Sequence, residues 1–566
     1  MRLTTALLGA ACAFALAPAA YADRGTDGEV KLTFPQAVSI MNPYLSSGTK
    51  DLLAASMVIE PLAGYDDQGN LFPRLVTEIP SLANGGISAD LTTITWKLIP
   101  GMLWSDGTPL TADDVVFTAN YCMDPAGGCS SLFKFDGIKS VEAVDPTTVL
   151  VTFTAPKPNP FVAFVGYQSP IIQKGQFAAC IGAAAPTCTD QNNMPVGTGP
   201  FMVTGFTVND TVSMAANPNY RDAAKPAFAT AMIKGGGDAE GSARAVMETG
   251  EFDYAWNTQI PPDSQAAMAA AGKGQFVVAF GSLVERLEMN MTNPSSDLPE
   301  GERSTSKHPH PFLTDIKVRQ ALSMAIDRDI LREVGYGAGG KPTCNIVPNP
   351  PAFVSDNTAC LTQDIEGAKA LLDEAGWTVG ADGVREKDGM RLRILYQTTV
   401  NPIRQDFQAL IKDWWTEIGV ETELKAIDPG VFFGGDAGSP DTFQKFYADV
   451  EMYANNFDGT DPENYLASYV CSQAPSPENQ WQGQNMNRFC DAGYDALVGE
   501  LSATSDPAKR AELAKKLNDM VTKDTSIVVP LVHRGTLSAH SNALGGVKIN
   551  AWDAEIWNVA DWVRVK

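Results

Sequence analysis

Three aspartates crowd the stretch WSDGTPLTADDVVF, residues 104–117: Asp106, Asp113 and Asp114. Grouped carboxylates suggest a hard cation, but a calcium site wants roughly six to eight oxygens, and one turn cannot supply them. Local physics offers a simpler use. Asp bonds its own following backbone and Gly accepts positive φ, so Ser105, Asp106 and Gly107 make a turn. Thr111 followed three residues later by Asp114 has the spacing of a capping box, and two acids in a first helical turn suit the helix dipole. These aspartates therefore punctuate a strand-to-helix junction. Upstream, Ile94, Trp96 and Leu98 alternate as on the buried face of a strand; downstream, Val115, Val116 and Ala119 start a helical stripe.

Other reactive residue types give little. The chain has four histidines; His308 and His310 share the segment KHPHPF, which reads as a solvated loop and not as half of a transition-metal site. There is no G-x-S-x-G, no P-loop lysine motif and no H-E-x-x-H. GTG at 197–199 runs into Pro200 and lacks the spacing of a dinucleotide loop. Of nine cysteines, Cys12 falls in the N-terminal segment. The rest form close couples: Cys122 with Cys129, Cys180 with Cys188, Cys344 with Cys360, and Cys471 with Cys490. None has the C-x-x-C spacing of zinc sites, so four short-range disulfides are expected in an exported chain. No metal or cofactor is called for.

Export is expected from the N-terminus. Arg2, the apolar run Leu3–Ala17 and Ala20-Tyr21-Ala22 form a signal segment over residues 1–22 with cleavage before Asp23. Losing Arg2 takes the formal charge from −24 to −25, which argues against nucleic acid or anionic membrane as partner. No later run is long and apolar enough to span a membrane.

The elements that must position any site are mixed. TTVLVTF (147–153) and LRILYQ (392–397) read as strands, and helical stretches alternate with them, so the fold class is α/β. VRQALSMAIDRDIL (318–331) reads as one helix, with Val318, Ala321, Leu322, Ala325, Ile326 and Ile330 on its apolar face. IEGAKALLDEAGW ends in a C-cap glycine, Gly376, with Trp377 beyond. FQALIKDWWTEIGV places Phe407, Leu410, Ile411, Trp414 and Ile418 on one side and Gly419 after it.

Six segments, in order, resemble one family. WSDGTPLTADDVVF, VGTGPF (196–201), NPNYRDAAKP (217–226), VRQALSMAIDRDIL, AKALLDEAGW and DGTDPENYL (458–466) are similar to signatures of the peptide/nickel-type periplasmic solute-binding proteins of bacterial ABC importers. The resemblance runs from about residue 30 to the C-terminus. It implies a two-lobed periplasmic-binding-protein fold with an extra inserted domain, hinge-linked around a central cleft. Lobe I would comprise 23–65, 197–295 and 526–566, the inserted subdomain 66–196, and lobe II 296–525. A monomer that hands a small-molecule ligand, a peptide, from the periplasm to a membrane permease is the implied function, without enzymatic turnover.

Residues transfer only where motifs align. MNPYLSSGTKD resembles the family's early cleft-facing loop and nominates Ser47, Gly48 and Thr49. In NNFDGTDPENYL, Asp458 stands where peptide binders hold the acid that receives an α-ammonium, and Arg404 stands where dipeptide binders offer a guanidinium to the terminal carboxylate. Asn455 replaces an aromatic residue often found three places before that acid. That departure keeps an oligosaccharide ligand open, with Trp414, Trp415, Trp481, Trp552 and Trp557 as stacking candidates. A secreted hydrolase with paired carboxylates is the reading from another class.

Overall fold

A computed structural model describes residues 24–299, 301–457 and 459–565. The signal segment 1–22 and Asp458 lie outside the described residues. No helix among those described is long and apolar enough to cross a membrane.

The aspartate-rich junction does what its local chemistry dictates. Strand Thr93–Lys97 buries Ile94 and Trp96, and Leu98 just after it is buried as well. The helix Ala112–Met123 then opens with Thr111 and Asp114 in a reciprocal capping box. Asp114 also accepts from Lys174 N at 2.9 Å and Trp104 Nε1 at 3.3 Å, Asp106 accepts from Thr108 and Gln173, and Asp113 pairs with Lys174.

Two local expectations are corrected. Residues 318–331 form two helices, Ile316–Met324 and Arg328–Gly335. The Asp327 side chain accepts from Ile330 N at 3.0 Å, so it caps a new helix in place of continuing the old one; Ile330 is 41% exposed. His310 is buried, not solvated. Its Nε2 lies 2.9 Å from Asp449, and its Nδ1 accepts from Leu313 N at 2.9 Å.

Two large sheets organise the chain. The first runs Gly274–Ala279, Thr536–Ser541, Tyr254–Ala255, Glu29–Phe34, Thr230–Gly235, Thr211–Ala216, Phe201–Thr207. The second runs Gly340–Pro342, Val528–Arg534, Val284–Met289, Val450–Asn455, Arg393–Thr399, Glu421–Ile427. Residues 66–196 hold a separate three-stranded sheet of Thr93–Lys97, Thr148–Phe153 and Ile138–Asp145. The chain passes between the large sheets at residues 280–283 and at Gly535, not near 295 and 525. Val284–Met289 and Val528–Arg534 pair with each other inside the second sheet, so both belong there.

Each large sheet has its own apolar core. One contains Val30, Leu32, Phe34, Ile233 and Trp562; the other contains Leu287, Leu322, Ile394, Phe407 and Trp415. All four cysteine couples are disulfide-bonded, with Cα separations of 5.1, 5.9, 5.7 and 4.5 Å in chain order. Chain-entropy arguments credit each such short loop with about 2 to 3 kcal/mol.

VGTGPF and NPNYRDAAKP meet at the buried Glu60. Arg221 forks onto it at 2.6 and 2.8 Å, and Thr198 donates at 3.1 Å. The glycines of the first motif permit this approach: a Cβ on Gly197 would sit 1.7 Å from the carbonyl oxygen of Val58. Gly197→Ala is therefore expected to destabilise by about 3 kcal/mol, because the opposing atom is backbone and cannot rotate away. Gly499 sits in a helix with nothing near its missing Cβ, so Gly499→Ala should stabilise by roughly 0.5 to 1 kcal/mol. Calorimetric melting of both variants checks the pair.

Candidate functional site

Between the two lobes lies a cavity of about 240 Å³. Its walls come from the 46–53 segment, residues 130–134 and 159–168, the crossings near Leu283 and Arg534, and the run 453–469. Contacts close it from both sides. Gln444 Nε2 donates to Ser47 Oγ at 3.2 Å, Gln484 Nε2 to Ser130 O at 3.3 Å, and Lys157 pairs with Glu463 at 2.7 Å.

The walls are charged because the central strand Val284–Met289 is. Every residue of VERLEM is buried, and period-2 alternation sends Glu285 to one face and Arg286 and Glu288 to the other. A register shift against Val528–Arg534 falls between Glu285 and Arg286, where Pro530 has no N–H to give.

On the first face, Glu285 sits between two arginines. Arg404 Nε lies 2.7 Å from Oε1, Arg534 Nε lies 3.3 Å from Oε2, and the Tyr336 hydroxyl donates at 2.9 Å. Burial alone would raise this carboxyl; the two guanidiniums outweigh it and hold it below the usual carboxylate range. Arg404 is fully engaged, since its Nη1 donates to Thr399 Oγ1 at 2.9 Å and its Nη2 to Glu285 at 3.4 Å. The Gln259 amide oxygen, when turned to accept, meets Arg534 Nη2 at 2.9 Å and Nη1 at 3.1 Å.

On the second face, Arg286 lies across the strand pair from Tyr453, and Glu288 from Glu451. The Arg286 guanidinium is 5.6 Å from the Tyr453 and Tyr465 rings and 6.0 Å from Tyr469. Its Nε pairs with Glu288 at 2.6 Å, and its Nη1 donates to the Tyr465 hydroxyl. Burial raises Glu288 despite Arg286, and raises Glu451 well above its ordinary value.

A third acid, Glu555, reaches the cavity from the loop after Asn550. Tyr254 and Ser538 both donate to its Oε1. Burial nevertheless pushes its carboxyl up to about 7. Nearby Asp553 accepts from the backbone of Tyr65 and Tyr167.

The sequence-derived residues divide. Ser47 and Thr49 line the cavity, while Gly48 caps the helix Thr49–Ser56, and a Cβ there would lie 3.4 Å from Phe433 O of the facing lobe. Arg404 lines it too, with its donors committed inside the protein. The five tryptophans do not line it; Trp414, Trp415 and Trp481 are buried in packing, and Trp256 is the tryptophan on the wall. Glu285, Arg286, Arg534 and Glu555 escaped the sequence reading. Three charged residues within a six-residue strand otherwise made of Val, Leu and Met were the available signal for the first two.

Two α/β lobes, two chain crossings and an enclosed polar cleft between them define a solute-binding protein. Residues 77–476 match the family described as bacterial extracellular solute-binding proteins, family 5 Middle, and the chain belongs to that family. Among relatives, the glutathione-binding protein GsiB of Escherichia coli O1:K1 is 25% identical over 548 residues, covering 96% of this chain and 94% of that protein. Protein XP55 of Streptomyces lividans is 28% identical over 390 residues, covering 68% and 64%. The oligopeptide-binding protein AppA of Bacillus subtilis, solved with a nonapeptide, superposes with a TM-score of 0.81 at 20% identity, over 96% of this chain and all of that one. NikZ of Campylobacter jejuni, solved with Ni(L-His), gives 0.78 at 22% identity, over 95% and 99%.

Two outcomes follow from the charges. Removing one partner of a buried ion pair costs about 3 to 5 kcal/mol, so Arg404→Met should destabilise the ligand-free protein by that order in a urea titration. A guanidinium reserved for ligand would leave the ligand-free stability unchanged. Glu555 carries the opposite pH sign to Glu285. Its folded value lies above the ordinary 4.5, so its protonated form favours folding. That contribution is complete below pH 4.5 and is lost as pH rises through about 7, a change on the order of 3 kcal/mol. Glu555→Gln should remove this part of the slope in urea titrations across that window.

Proposed function

We propose that this chain captures a short peptide in the interlobe cleft, outside the cytoplasm, and delivers it to the permease of an ABC importer. The observation that carries this is the cavity itself. It is closed by contacts from both lobes and lined by charges of both signs, by side-chain amides such as Asn257, Asn455 and Asn456, and by tyrosines. An extended peptide needs this mixture: donors and acceptors along its backbone, and opposite charges for its ends. The family and the cleft support solute binding; the names of the peptide-binding relatives support the ligand class. The signal segment and the four disulfides support a periplasmic setting, and a monomer suits a shuttle.

Asp458, which follows the lining residues Asn456 and Phe457 in the sequence, is proposed to receive the peptide's α-ammonium. Ser47 and Thr49 are proposed to hold backbone groups, with Arg404 acting through its pair with Glu285. An oligosaccharide is the weaker reading, since the five tryptophans nominated for stacking on sugar rings do not line the cleft and only Trp256 does.

Calorimetry with tri-alanine, glutathione and maltotriose tests the ligand class. At least one of the first two should bind and be recovered unchanged; binding of maltotriose alone, or turnover, overturns the proposal. Asp458→Asn should weaken tri-alanine by at least tenfold, because a hydrogen bond to a charged group is worth about 1.5 to 3 kcal/mol. N-acetyl-tri-alanine, with no ammonium, should lose little. Equal losses for the two ligands remove Asp458 from the ammonium site.

A further inference from the structure

Arg286 is buried, yet part of its guanidinium is uncommitted. Nε lies 2.6 Å from Glu288 as an ion pair but is buried without a hydrogen bond of good geometry, Nη1 donates to Tyr465, and Nη2 makes no hydrogen bond among the described residues. The residue lines the cavity at 3% exposure. Beside it, the Tyr469 hydroxyl is buried with no hydrogen-bond partner, and Tyr469 lines the same wall. Buried donors are nearly always satisfied, so open ones on two neighbouring residues of one cavity wall leave room for an acceptor carried by the ligand.

The surroundings hold this guanidinium still. Three tyrosine rings and Glu288 restrict it, and the strand backbone beneath is hydrogen-bonded on both sides. A pre-oriented cationic donor beside a phenol suits a planar anion, since charge-assisted bonds to carboxylates are the strong ones. Among the other cavity arginines, Arg404 has every nitrogen engaged, and Arg534 pairs with Glu285 on the opposite face of the strand from the three tyrosines.

We propose that Arg286, with the Tyr469 hydroxyl as second donor, binds a carboxylate of the ligand, the role the sequence assigns to Arg404. This rests on the peptide reading and adds the residue that reads the acidic end.

The test compares tri-alanine with tri-alanine amide, and glutathione with its glycine amide, by calorimetry. Native protein should bind the free acid at least tenfold more tightly than the amide. In Arg286→Met/Glu288→Gln, which removes both charges of the pair, acid and amide should bind within about twofold, because the removed bond was charge-assisted. Tyr469→Phe deletes one oxygen, and it should narrow the preference threefold or more; it decides the matter if the double variant melts before it can be titrated. An acid preference that persists in these variants overturns the assignment. So does native protein that binds peptides yet treats acid and amide alike, which leaves the peptide reading standing. Native protein that binds none of the four probes overturns both.

Discussion

One carboxylate holds the two lobes' junction in place. Glu285 begins the second sheet just after the first chain crossing, and Arg534 ends its strand just before the second crossing at Gly535. Arg404 completes the group from a helix of the second lobe. Two guanidiniums cannot be buried together without an anion, since each unpaired buried charge is worth several kcal/mol. Satisfying this one acid therefore fixes where both crossings enter the sheet. It also fixes the hinge-side wall of the cleft. Gly281 and Gly535 make the crossings tight: a Cβ would meet Ala551 O at 2.2 Å and Val278 Cγ1 at 2.3 Å.

The strand that supplies Glu285 also explains the cavity's two electrical characters. Alternation places Glu285 with Leu287 and Met289 toward one core, and Arg286 with Glu288 toward the tyrosines. The bulge beside Pro530 adds a local bend where the two faces diverge. A buried strand of three charges is tolerable because each finds a partner across the sheet or from a helix above it. Across the sheet, Glu451 faces Glu288, and burial raises both carboxyls.

Legibility in the sequence followed the range of the interaction. Ile94, Trp96 and Leu98, the Thr111–Asp114 box, and Gly376 before Trp377 were readable because their partners lie within one turn or one strand. The break at Asp327 was local too, but a capping side chain competed with an apolar stripe, and periodicity alone could not rank them. Arg404 was placed in the cleft by motif position; its engagement with Glu285, far away in the chain, had no local trace. Tyr453, Tyr465 and Tyr469 carry no local signal of a role; the fold alone gathers them around Arg286.

By itself, the sequence determined the α/β class, the short-range cysteine couples, the helix caps and the family signatures, because each is a matter of neighbours within about twenty residues. Only the tertiary structure decided which charges are committed and which remain open toward a ligand. Glu285 and Arg404 are far apart in sequence, as are Arg286 and Tyr469, and each residue type alone fits an exposed surface equally well. Burial makes the difference: once water is excluded, an ion pair or an unmet donor becomes a specific demand on its surroundings, and that demand exists only when the sheets have brought the partners together.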